Sequence, residues 1–136
     1  VVNPEPDRGM GSSLRCALAE LQPEASQACV VLLVDLVDVR PAEVAAVIER
    51  HRAGAEIVAV RRAGQRSHPV LVSRRWYAEL AAAADGDQGG RDFFAQRLED
   101  TSFVDYPDPI SDIDTVEDLH RALAGRPAPG QAGSAR

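Results

Sequence analysis

An apolar run over residues 28–34 ends at Asp35, with Asp38 three positions further on. A carboxylate that closes such a strand sits where magnesium can be held by one or two carboxylates together with substrate phosphates. Turn formation or capping is the commoner use of aspartate after a strand, and both readings stand at this level. Asp114 precedes Glu117 by three residues, the spacing of a capping box. One carboxylate oxygen can cap a helix while the other faces a cation, and Asp112 offers a second oxygen source two residues back. The GMGSSL stretch, residues 9–14, places Gly9, Ser12 and Ser13 at a helix start, where free amides attract anionic or polar groups. It matches neither a Walker A loop nor GxGxxG, so simple capping is an equal alternative. His68 stands before Pro69, bordered by Arg61, Arg62 and Arg66. That cluster suits a phosphorylated substrate, or is a solvated loop. No Ser-His-Asp set at a nucleophile elbow is present, and neither Cys16 nor Cys29 has an evident activating base.

The elements that must position these groups follow from periodicity. Leu14, Ala17, Leu18 and Leu21 recur at helical spacing, with Pro23 as a stop. Residues 29–34 are β-branched and leucine-rich, which predicts a central strand covered on both faces. Pro41 opens a second helix with Val44, Val47, Ile48 and His51 on one face and Gly54 beyond its end. Residues 56–60 read as a strand, 61–67 as a loop and 69–72 as a short strand. Trp76, Leu80 and Ala83 suit a third helix, residues 85–90 a loop or a helix start, and Phe93, Phe94 and Leu98 a further apolar stripe. Residues 103–106 read as a strand, and Leu119 and Leu123 form the expected buried side of a last helix. Residues 126–136 carry no periodic apolar residue, so a disordered tail is expected after a domain at 1–125. Alternating strands and helices predict a parallel or mixed sheet with helices on both faces, whose ligands bind beyond the carboxyl ends of the strands.

Composition narrows the partners. The chain has 136 residues, 45% hydrophobic, which fits one domain. Its 15 basic residues are all arginine against 21 acidic ones, for a formal charge of -6, so no nucleic acid partner is expected. No apolar stretch approaches the roughly 20 residues of a membrane span, and no signal peptide is visible. Two cysteines without a CxxC predict free buried thiols in a reducing cytoplasm.

The order of these segments resembles the MobA-like nucleoside triphosphate transferase family, which includes the molybdenum cofactor cytidylyl- and guanylyltransferases. The stretches that carry the likeness are VVNPEPDRGMGSSLRCAL, VVLLVDLVDVRPAEV, SHPVL, GDQGGR and DIDTVEDL, in the family's order. The resemblance implies a three-layer α/β/α, Rossmann-like sheet of the GT-A type. It also implies a Mg2+-dependent transfer of CMP or GMP from CTP or GTP to a molybdopterin-type pterin phosphate. By the same resemblance Gly9, Ser12 and Ser13 would line the nucleotide base pocket, and Asp35 would be the main metal ligand, with Asp114 near metal and phosphates. His68 and Arg91 would face the acceptor.

The sequence departs from the family where Ser67 replaces a glycine before His-Pro, Gly90 an alanine and Val116 a proline. The family's first strand and its LAAGxSxRMG loop have no counterpart here. The chain is therefore expected to correspond to the C-terminal two-thirds of such an enzyme, with an unpaired sheet edge that favours self-association. A non-catalytic binding module derived from the same fold is the alternative function, and a sugar-1-phosphate nucleotidyltransferase a third.

Overall fold

The computed structural model describes residues 1–22, 26–108, 113 and 115–124. Asp112, Asp114 and residues 125–136, the expected tail among them, lie outside the described residues. In chain order the elements are α1 (Met10–Leu21), β1 (Ala28–Val31), α2 (Pro41–Arg52), β2 (Ile57–Arg62), β3 (Gln65–Ser73), α3 (Tyr77–Ala83), α4 (Arg91–Gln96), β4 (Thr101–Tyr106) and α5 (Val116–Ala124). Short 3-10 turns at Pro6–Arg8, Arg74–Trp76 and Gly86–Gln88 lie between them.

The four strands form one mixed sheet in the order β1-β3-β2-β4. β3 runs antiparallel to both neighbours, and β2 pairs with β4 in parallel. The carboxyl ends of β1, β2 and β4 therefore share one edge with the beginning of β3. Because side chains alternate across the pleat, the sheet has two cores. Ile57, Ala59, Val70 and Val72 pack with Leu18 of α1, Tyr77 and Leu80 of α3, and Phe93 and Phe94 of α4. Val58, Val60 and Leu71 pack on the other face with Val47 of α2. The architecture is the expected three-layer α/β/α arrangement.

Several local expectations are corrected. The strand expected over residues 29–34 spans only Ala28–Val31 and is an edge strand, bonded among the described residues to β3 alone. Leu32 is half exposed and Val34 almost fully so, since the chain leaves the sheet before the apolar run is over. The loop expected at residues 61–67 is the tip of a β-hairpin. Arg61 and Arg62 end β2 and Gln65 begins β3, joined through Ala63 and Gly64, both at positive φ (47° and 79°). That geometry is the two-residue turn favoured by strand twist.

Leu119 and Leu123 do not form a buried side, for both are exposed and α5 buries no residue. The last helix does start with a capping box, but one position later than expected. Thr115 Oγ1 accepts from the Asp118 amide at 3.1 Å while Asp118 Oδ2 accepts from the Thr115 amide at 3.0 Å. Leu98 also falls outside α4 and is exposed.

Candidate functional site

The shared edge of the sheet gathers most of the residues singled out from the sequence. In the β2–β3 ladder, Ala59 opposes Val70 while the next residue, Val60, opposes Ser67. His68 and Pro69 are thus extra residues bulged out of the register. A proline has no amide to give the ladder, and a bulge redirects the side chain beside it. In the β1–β3 pairing Val31 lies opposite Val70, so the chain that runs on to Asp35 passes this bulge. Asp35 is half-buried in a turn, and its carbonyl oxygen accepts from the Ile113 amide at 3.2 Å. That bond ties the segment leading into α5 to the end of the β1 segment.

Burial, with the neighbouring Arg66 charge adding to it and the Asp35 carboxylate opposing it, brings the His68 imidazole down to about 4. The ring is therefore neutral at pH 7, able to accept or donate one hydrogen bond but not to act as a cation.

A cavity of about 360 Å³ opens beside it, within the range of small-molecule sites. Ser13, His68 and Arg91 line it together with Arg66, and Met10, Leu14, Leu33 and Phe94 supply much of its apolar wall. Of the arginines bordering His68 in sequence, only Arg66 stays with it. Arg61 pairs with Asp105, at 2.6 Å, and the buried Arg62 with Glu43, at 2.5 Å.

The start of α1 is built around Gly9 and the two serines. Gly9 has φ +83°, and a Cβ there would come within 2.6 Å of the Gly86 carbonyl carbon, so only glycine fits against that turn. Gly11 packs as closely, its Cβ position falling 2.7 Å from the Asp85 nitrogen. Ser12 is buried and turned toward the chain, donating to the Gly9 carbonyl oxygen at 2.8 Å and accepting from Asn3 Nδ2 at 2.8 Å. Ser13 is exposed, also accepts from Asn3 Nδ2, at 3.0 Å, and lines the cavity. The structure thus separates the serines, one holding the loop and the other lining the cavity. Asp38 lines a different, shallow groove with Arg40, Arg62 and Asp108. Among the described residues no group of three His, Cys, Asp or Glu side chains could hold a metal by itself.

Two features escaped the sequence reading. Phe94 reads there as core, yet its ring also walls the cavity and carries the Arg66 guanidinium 4.7 Å from its centroid. Glu43 is fully buried on α2, where it accepts from Arg62 and, at 3.2 Å, from Arg40 Nε. An acidic residue four before Val47 on the apolar face was the available signal.

A family model described as the MobA-like NTP transferase domain matches residues 1–101. The chain belongs to that family. Among solved structures it is similar to Rv0371c from Mycobacterium tuberculosis H37Rv in complex with manganese, at 30% identity and a TM-score of 0.68, over 82% of this chain and 59% of that one. A second crystal structure of Rv0371c from the same strain gives the same identity and TM-score, with 57% of that chain covered. An Rv0371c homolog from Mycobacterium sp. strain JC1 follows at 30% identity and 0.62, over 56% of its length. The chain therefore spans less than three-fifths of each of these relatives. A search of the curated proteins gives no match. Among the described residues no helix is long and apolar enough to cross a membrane.

Proposed function

We propose that this MobA-like domain serves nucleotidyl transfer from CTP or GTP to a phosphorylated acceptor of the molybdopterin type, in the cytoplasm and with Mg2+. The observation that carries the reading is the meeting, at the ligand-bearing edge of the sheet, of the Asp35 turn, the His68 bulge and a cavity shared by Ser13, His68 and Arg91. A donor set of one half-buried carboxylate fits an ion that arrives on nucleotide phosphates better than a resident metal, which needs more protein ligands. The manganese complex of the similar Rv0371c supports a divalent ion in the same role.

In this reading Asp35 is the main carboxylate facing the metal-bound phosphates, and Asp114 joins it from the segment after Ile113. An ion held there by Asp35 and the phosphates would supply neutralisation of the phosphate charge. An acceptor phosphate oxygen attacks the α-phosphorus, the new oxygen–phosphorus bond forms, and the bond to the β-phosphate oxygen breaks to release pyrophosphate. Gly9 and Ser13 hold the base, with Ser12 keeping their loop in place. Neutral His68 and Arg91 orient the acceptor.

Calorimetric titration of CTP and GTP with and without Mg2+ or Mn2+ tests the reading. One nucleotide is expected to bind only with the metal, and Asp35→Asn to remove that dependence while the fold survives. Binding that is equal with and without metal points instead to a non-catalytic module and contradicts the proposal.

A further inference from the structure

Arg66 and Arg91 are the two arginines that line the cavity, and they stand apart from the ion-paired arginines of this acidic chain. Eight arginines, Arg8, Arg40, Arg52, Arg61, Arg62, Arg75, Arg97 and Arg121, form ion pairs among the described residues. Arg66 and Arg91 have no acidic partner there, although Asp and Glu outnumber basic residues 21 to 15. Both line the cavity, where burial disfavours the Arg66 charge and the Arg91 charge disfavours it further. Arg66 is half-buried and Arg91 exposed, so two like charges face one cavity, and an anion bound between them relieves their repulsion. Phe94 fixes the Arg66 end of the pair by carrying its guanidinium over the ring.

The rest of the lining selects the anion. No Asp or Glu lines the cavity among the described residues, so a metal-borne triphosphate finds no carboxylate there to share its ion. Met10, Leu14, Leu33 and Phe94 call for an apolar or flat organic part. We infer that Arg66 and Arg91 form a two-guanidinium receptor for the phosphate monoester of the acceptor, whose flat ring system lies against the Leu14 and Phe94 wall. The inference rests on the transfer reading above for the word acceptor, and on the cavity alone for the ligand chemistry. It makes Arg66 a specificity-determining residue alongside Arg91.

Phenyl phosphate, inorganic phosphate and phenol are the probes, titrated into the intact chain without nucleotide or metal. Phenyl phosphate is expected to bind most tightly and phenol least. Arg66→Gln and Arg91→Gln are each expected to weaken phenyl phosphate about tenfold or more, as for loss of a charged hydrogen bond. Arg66→Lys, which keeps the charge but not the planar fork, should lose less. Circular dichroism of each variant confirms the fold, and metal-dependent CTP and GTP affinities are measured in parallel. Wild-type phenyl phosphate affinity in both glutamine variants overturns the receptor. A parallel loss of nucleotide affinity in Arg66→Gln assigns the pocket to nucleotide phosphates and overturns the acceptor assignment, while the transfer reading survives. Absence of metal-dependent nucleotide binding in the wild type, with phenyl phosphate still dependent on both arginines, overturns the transfer reading and leaves the phosphate receptor standing.

Discussion

Removing the Glu43 carboxylate is expected to be among the most damaging single changes outside the cavity. Glu43 is fully buried, and the Arg62 side chain is only 5% exposed. The pair therefore sits in a low dielectric, where each charge depends on the other. Loss of one partner from such a pair costs about 3–5 kcal/mol, because the survivor is left buried and uncompensated. The surroundings decide which loss is worse. Without Arg62, Glu43 keeps Arg40 Nε at 3.2 Å. Without Glu43, Arg62 keeps, among the described residues, the Asp108 carbonyl oxygen, at 2.9 Å, and the face of Tyr106, 5.3 Å from its centroid. Glu43→Ala should thus fall at the upper end of that range and Arg62→Ala at the lower, against a total stability of about 5–15 kcal/mol for a domain of this size. The double variant Glu43→Leu/Arg62→Met should regain most of the loss, since apolar replacement of both charges avoids their desolvation. Urea melts followed by the single tryptophan, Trp76, give the midpoints, with unchanged slopes required for the comparison. A loss below about 1 kcal/mol for Glu43→Ala, or a double variant no better than the singles, refutes the reasoning.

Two further outcomes follow from the site. The folded His68 imidazole is held at about 4 against an ordinary 6.5, so the unfolded chain binds the extra proton first as pH falls. The contribution of His68 is fully present above pH 6.5 and is lost between 6.5 and about 4, by up to about 3 kcal/mol. His68→Asn should flatten that part of the stability profile, and identical profiles in the two proteins contradict the burial argument. Gly9→Ala should cost about 2–4 kcal/mol, combining a backbone strained at φ +83° with a Cβ driven into the Gly86 backbone. Gly54→Ala is the control, since φ there is +107° but nothing lies within 4 Å. Equal losses at the two glycines in urea melts would remove the packing part of the explanation.

How far the fold was legible depended on whether a signal was local. The spacing of Leu14, Ala17, Leu18 and Leu21, and Pro41 at a helix start, specify α1 and α2 without reference to the rest of the chain. The burial of the 29–34 run depends instead on pairing with a strand some forty residues later, and the ladder ends at Val31. The β2–β3 turn was hidden because Ala63 occupies a position where asparagine or glycine is the usual marker of positive φ. Arg66, His68, Ser13 and Arg91 were each visible as residue types. Their convergence on one cavity was not, because it follows from a bulge and from the crossing of α1 and α4 over the sheet. The Arg61, Arg62 and Arg66 cluster came apart for the same reason. Alternate residues of β2 point to opposite faces, where Asp105 and Glu43 claim the first two.

The central claim is that Asp35 and His68 face one metal–nucleotide site at the carboxyl edge of the sheet. Titration of the 15N-labelled protein with Mn2+–CTP and Mn2+–GTP tests it most directly, since the ion broadens nearby amide signals. The account predicts the strongest loss of signal at Asp35, Leu36 and His68, none at Arg52–Gly54 on the far edge, and disappearance of the effect in Asp35→Asn. Broadening centred elsewhere, or unchanged in Asp35→Asn, would contradict it.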